Sequence, residues 1–177
     1  MRSSEILYSD TQQKILTTAL SLFSKNGFKA TTTRQIAKEA DINESTLFKN
    51  FKNKSKVFMA VQQTESLLFQ KAILEVFNHD FANSQEFINH SVEQIYQIFL
   101  QHSSYVTIMF RELDNDALNI GEDSILEYVT NTLSLQLSTI TSVKSVQYNP
   151  IMFMLVSSLM ILVVNQTNNH ALTDDLQ

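Results

Sequence analysis

Two glycines and one proline in 177 residues constrain this chain more than any other feature of it. Average usage predicts roughly 21 of the two together. Hairpins and tight turns draw on both, glycine for positive φ and proline for a pre-set φ, so a fold of many short strands is excluded. What remains is a set of helices joined by few connections. Hydrophobic residues, at 44%, supply a core and exclude disorder. The chain has no cysteine, which removes disulfides, thiolate zinc sites and cysteine nucleophiles. Residues 1–14 contain no apolar run of the secretory kind. The expectation is a soluble, cytoplasmic, all-α protein.

The net charge of −5 hides a division. Residues 1–56 hold ten of the thirteen basic side chains and five acidic ones, a balance of +5. Residues 57–177 hold three basic and thirteen acidic, a balance of −10. Such a split suits a small polyanion-binding module joined to a domain of another kind.

Helical periodicity runs nearly throughout. Ser9 with Gln12 has capping-box spacing. The stripe Ile15, Leu16, Ala19, Leu22 and Phe23 then defines an amphipathic helix, which Asn26-Gly27 closes with glycine in the left-handed conformation. Thr32 with Gln35 repeats the capping box ahead of Ile36, Ala37 and Ala40, a short apolar stripe. Asp41-Ile42 is a tight connection, Asn43 caps a third short helix with Leu47 and Phe51 inward, and Asn53 caps a long helix from Lys54.

Two short helices joined by about three residues, behind a longer packing helix, are the arrangement of a helix-turn-helix, although any small three-helix domain could pack the same way. Ala37 and Ala40 keep the second helix slim where the third crosses it. Aspartate tolerates the left-handed or bridge backbone of the turn, and Ile42 fixes the angle between the helices. The exposed side of the third helix then carries Glu44, Ser45, Thr46, Phe48, Lys49 and Asn50, polar for the most part and able to reach base edges or phosphates.

The run from Ile36 to Ser55 resembles the TetR family of bacterial transcription regulators. In outline that family reads I-A-x-x-A-G-V-S/T-x-G-T/A-L/I-Y-x-H/Y-F-x-S/N/D-K, and Phe23, Gly27, Phe28 and Thr32 fall where it places its upstream aromatic, glycine and threonine cap. The likeness covers residues 15–58. It implies a helix-turn-helix DNA-binding domain at 1–55 and a helical ligand-binding and dimerisation domain at 56–177. It implies phosphate contacts from Thr32, Thr33 and Arg34, and a recognition helix placing Glu44, Ser45, Thr46, Lys49 and Asn50 in the major groove. Phe48 stands where a tyrosine packs on the DNA backbone, and Lys54 where a lysine meets a phosphate. Lys52 and Lys56 read as solvated lysines. Four positions depart from the pattern. Asp41 and Ser45 replace glycines, Phe48 lacks the phenolic hydroxyl, and Glu44 brings a carboxylate that phosphates repel but cytosine N4 can meet.

After Lys56, helices are expected at 56–78, 84–101, 103–114, 122–144 and 149–167. The resemblance implies that this part binds a small effector, leaning lipophilic on its aromatic content. The candidates are Tyr96, Phe99, His102, Tyr105, Met109 and Tyr128, mostly aromatic side chains with a polar tip. Effector binding is expected to tilt the helix that starts at Lys54 and so change the separation of paired recognition helices. The run from Ile151 to Val164 is almost wholly apolar. With 14 residues and two serines it falls short of the roughly 20 that a membrane helix needs. A helix apolar on all sides needs cover all round, and 122–144 with 149–167 are expected to form a homodimer interface. Paired recognition helices would then read a palindromic operator.

No catalytic residue, metal or cofactor is expected. Glu86, His90 and Glu93 share a helical face, with Glu112, Asp114 and Asp116 elsewhere, but carboxylate-bridged metal bundles need Glu-x-x-His on two helices. The chain has no G-x-S-x-G, glycine-rich phosphate loop or H-E-x-x-H. The resemblance implies a repressor released by a small molecule. The alternative is a helical protein–protein adaptor of the same fold that has lost sequence-specific DNA binding, which the departures at 41, 44 and 45 motivate.

Overall fold

A computed structural model describes residues 8–111, 124–141 and 143–174, with side chains up to residue 168. These residues form eight α-helices: α1 (Asp10–Ala30), α2 (Thr33–Glu39), α3 (Glu44–Asn50), α4 (Lys54–Glu75), α5 (Ser84–Gln101), α6 (Ser103–Arg111), α7 (Ile125–Ile140) and α8 (Asn149–Asp174). One 3-10 turn, Ser145–Gln147, precedes the last. The chain divides into two compact units, Met1–Leu67 and Leu68–Gln177.

In the first unit α1 opens on a formed capping box. Ser9 Oγ accepts the Gln12 N–H at 3.4 Å and Gln12 Oε1 accepts the Ser9 N–H at 3.0 Å. Its apolar stripe, from Ile15 to Phe23, is buried as the periodicity predicts. The helix breaks at Gly27, but not in the left-handed helical region expected from the sequence: φ is 80° and ψ 163°, backbone that in practice only glycine adopts. One more turn follows to Ala30. Buried Thr31 then shares its hydroxyl proton between the carbonyls of Gly27 (2.8 Å) and Leu22 (3.2 Å).

The second capping box also forms, with Thr32 Oγ1 accepting the Gln35 N–H at 3.2 Å. The end of α2 is a Schellman motif: Asp41 donates its N–H to the Lys38 carbonyl and Ile42 to that of Ala37. Asp41 holds the left-handed position at φ 51°. Asn43 stands at the start of α3, but its exposed side chain makes no capping bond; its carbonyl accepts the Leu47 N–H instead. Asn53 Oδ1 caps α4 through the Lys56 N–H at 2.9 Å.

Val57, Phe58 and Val61 on α4 are buried, and the Phe58 ring lies 5.2 Å from Phe23 and 4.9 Å from Phe28. The first turns of α4 therefore complete the core built by α1. For that reason the division by contacts falls at 67–68, inside α4, where the sequence suggested 55–56.

In the second unit α5 spans the expected residues, with Asn83 Oδ1 capping the Glu86 N–H at 3.0 Å. A single residue, His102 (φ −102°, ψ 27°), turns the chain into α6. Residues 112–114, expected in that helix, lie outside the described residues, as do 122 and 123 ahead of α7. Ser124 and Glu127 form a third capping box. Three other boundaries differ from expectation. α4 stops at Glu75 rather than 78, tightening into i+3 bonds over 76–78. α7 stops at Ile140 rather than 144, because Thr141 turns extended and its hydroxyl meets that of Tyr148 at 2.7 Å. α8 continues past 167 to Asp174, since nothing in 168–174 is a glycine or proline that would end it.

The core of the second unit joins Phe69 and Ile73 of α4, Phe87, Ile95 and Phe99 of α5, and Val106 and Ile108 of α6 to residues of α7 and α8. On α8 the buried stripe is Met152, Val156, Met160 and Val163, at helical spacing. Its other side leaves Ile151, Phe153, Met154, Ile161 and Leu162 exposed, Met154 at 71%. The stretch Asn149–Asn168, with a mean hydropathy of 1.7, is long and apolar enough to cross a membrane by length and composition, which corrects the 14-residue count made on the sequence. It is nonetheless packed along one stripe against α5, α6 and α7.

Candidate nucleic-acid interface

The helix-turn-helix gathers the predicted DNA-facing residues into one unit, although several of them spend their polar groups within it. Arg34, Ser45, Phe48 and Lys49 are exposed, Phe48 at 46% despite being a large apolar ring. Thr32 is exposed too, but its hydroxyl is engaged with Gln35 as the cap of α2. Thr46 and Asn50 are half-buried, and Asn50 Nδ2 donates to the Thr46 carbonyl at 2.9 Å. Thr33 and Glu44, each the first residue of its helix, are bonded to one another: Thr33 Oγ1 donates to Glu44 Oε1 at 2.7 Å.

Lys54 differs most from what the resemblance implies. Its ammonium is drawn inward to the end of α1, donating to the carbonyls of Phe28 and Thr31 at 2.8 Å each and approaching that of Lys29 at 3.4 Å. It also lies 4.3 Å from the centre of the Phe28 ring, a cation–π contact. A lysine has three N–H donors and no acceptor, so this one is committed to the polypeptide. The last turn of α1 leaves carbonyls without helical partners, and a cation there satisfies them and complements the helix dipole. Nothing local in the sequence signals the contact, since the partners are 23 to 26 residues apart.

In the second unit Phe99, His102 and Tyr105 surround Phe69, with ring centres 5.7, 5.8 and 6.0 Å away. Phe69, at the hub of this cluster, comes from α4 and is buried. Met109 lies one turn beyond Tyr105 on α6. Tyr96 is engaged elsewhere, its hydroxyl accepting from Gln166 Nε2 of α8 at 3.0 Å. Tyr128, on α7, makes none of these ring contacts. Burial pushes its phenol upward, against a smaller lowering by Thr132. Four buried hydroxyls of this unit, those of Ser91, Thr107, Thr130 and Ser134, have no hydrogen-bond partner among the described residues.

A separate open groove of about 430 Å³ lies between the end of α4 and α5, lined mainly by polar side chains including Glu75, His79, His90, Gln94 and Gln97. It takes in none of the effector candidates. Beside it Glu86 accepts the Ala82 N–H at 2.8 Å and lies 3.5 Å from His79 Nε2; these contacts hold its carboxyl below the usual carboxylate value. Glu93, on the same helix, accepts from Gln97 Nε2 at 3.1 Å. Glu112, Asp114 and Asp116 lie outside the described residues.

Residues 15–61 match the family model described as bacterial regulatory proteins, tetR family. The chain is 32% identical to the uncharacterized HTH-type transcriptional regulator YvkB of Bacillus subtilis, over 47% of this chain and 59% of that protein. It is 28% identical to the HTH-type transcriptional repressor NicS of Pseudomonas putida, over 58% of this chain and 48% of that one. The chain thus spans about half the length of the curated relatives it matches. Among solved structures, a TetR-like transcriptional regulator from Rhodococcus sp. RHA1 superposes with a TM-score of 0.74 at 19% identity, over 90% of this chain and 85% of that one. The fatty acid degradation regulator FadR from Bacillus halodurans superposes with a TM-score of 0.70 at 17% identity, over 93% and 88%. At these identities the structural likeness speaks to the fold alone.

Proposed function

We propose, from the match of residues 15–61 to the tetR family model, that the chain is a TetR-type homodimeric transcription repressor that leaves a palindromic operator when a small molecule binds. The observation that carries this is the helix-turn-helix itself: a recognition helix presenting Ser45, Phe48 and Lys49 to solvent, set behind a Schellman turn at Asp41. Its surroundings are basic, whereas the rest of the chain is acidic, so the first domain is the one suited to phosphates.

Dimerisation is supported by the open face of α8 and by Leu135 of α7, 58% exposed. An exposed apolar surface of this kind is what a second copy covers. An effector site is supported by the Phe69 cluster, which groups Phe99, His102 and Tyr105 and favours an apolar ligand with a polar end.

Selection from a random duplex pool at about 100 mM salt tests the reading; affinity for DNA depends steeply on salt. Enrichment of a palindrome is the expected result. No enrichment, including at lower salt, favours the adaptor reading instead.

A further inference from the structure

We propose that Glu44 reads a cytosine in each half-site and that Thr33 is the residue that positions it. The proposal rests on the DNA-binding reading above and adds a base identity to it. A carboxylate on a surface that meets phosphates is unfavourable unless its charge is matched. Among the described residues no lysine or arginine forms an ion pair with Glu44. What it has is a hydroxyl: Thr33 Oγ1 donates to Oε1 at 2.7 Å, across from α2 to α3, with both residues half-buried. That bond fixes the direction of the side chain and occupies one oxygen, leaving Oε2 with lone pairs to offer.

An ionised carboxylate only accepts hydrogen bonds. In the major groove guanine presents two acceptors, thymine an acceptor and a methyl group, and adenine a donor beside an acceptor. Cytosine alone presents an N4 donor without an acceptor of its own there. An acceptor-only group held in place is therefore repelled by guanine and thymine, compromised at adenine and satisfied at cytosine. Thr33 removes the freedom by which a flexible glutamate would turn away from a mismatched base. By this account the hydroxyl of Thr33 serves Glu44 rather than a phosphate.

The test is duplex selection with the wild type, Glu44→Gln, Thr33→Val and Thr33→Ser, all as full chains. The wild type is expected to enrich a palindrome with a C·G pair at one position of each half-site. Glu44→Gln should change that position alone, toward A·T, because an amide pairs with adenine through both its donor and its acceptor; the preference for cytosine should fall by about tenfold. Thr33→Val should broaden the same position, and Thr33→Ser should restore it. Wild-type enrichment with an unchanged preference in Glu44→Gln overturns the proposal and leaves the regulator standing, as does a uniform change in affinity at all positions. Absence of any wild-type enrichment overturns both.

Discussion

The ammonium of Lys54 lies 2.8 Å from the carbonyl oxygen of Phe28 and 4.3 Å from the centre of that residue's ring. One side chain at the start of α4 thus holds the end of α1 by both its backbone and its side chain. Because Phe28 in turn packs on Phe58, four residues along α4 from Lys54, the contacts close a loop between the end of α1 and the first turns of α4.

Lys54→Met is expected to lower stability by about 1.5–3 kcal/mol, the usual range for hydrogen bonds to a charged group, read from urea denaturation. If the lysine acts as a clamp, operator affinity falls while the slope of log K against log salt stays as in the wild type. A slope shallower by about one would instead place the ammonium on a phosphate.

Gly27→Ala is expected to destabilise the chain by about 1–3 kcal/mol, because its backbone lies where side chains are strained. No atom lies within 4 Å of where the added methyl would sit, so the whole effect is conformational. A loss that appeared only with larger side chains would point to crowding instead.

At Asp41 the sign reverses. Its φ of 51° costs an aspartate something that glycine avoids, and Asp41→Gly is expected to raise stability by about 0.5–1 kcal/mol, with the entropy of the unfolded chain opposing the gain. Thermal unfolding of the two proteins side by side checks this.

These positions also mark how far the sequence could be read. Both amino-terminal capping boxes, Ser9 with Gln12 and Thr32 with Gln35, were legible because the partners are three residues apart and the geometry follows from residue type. The buried stripe of α1 was legible for the same reason, its period being that of the helix. Lys54 with Phe28 and Thr33 with Glu44 were not, since only the folded chain decides which polar groups meet at 26 and 11 residues' separation. The ring cluster falls in between: Phe99, His102 and Tyr105 are visible as ring-bearing positions along two consecutive helices, but only packing decides that Phe69 joins them from another helix.

Glu86 gives a pH dependence. Its carboxyl is lowered chiefly by the Ala82 N–H and then by His79. A carboxyl whose folded pKa lies below its unfolded one adds stability above the unfolded value, near 4.5, and loses it as pH falls through the folded value. Glu86→Gln is therefore expected to be less stable than wild type at neutral pH, with the gap closing in acid. A gap that persisted in acid would show that the carboxylate's charge is not responsible.

Substituting aspartate for Met154 or Ile161, both exposed on α8, is expected to shift sedimentation toward a single chain and to weaken operator binding with it. Unchanged sedimentation would mean that the face has another partner. Binding to anionic vesicles in place of self-association would make that partner a lipid surface.

On the dimeric reading the open side of α8 has a consequence for dosage. A chain whose longest helix shows water a row of Ile151, Met154, Ile161 and Leu162 is completed by its own copy, so the operator is occupied by pairs and the pool of pairs falls with the square of the chain concentration when singles predominate. Repression would then fade more steeply than the protein is diluted or degraded. Growth alone, by thinning the chains among daughter cells, would act on the target gene in the same direction as the effector.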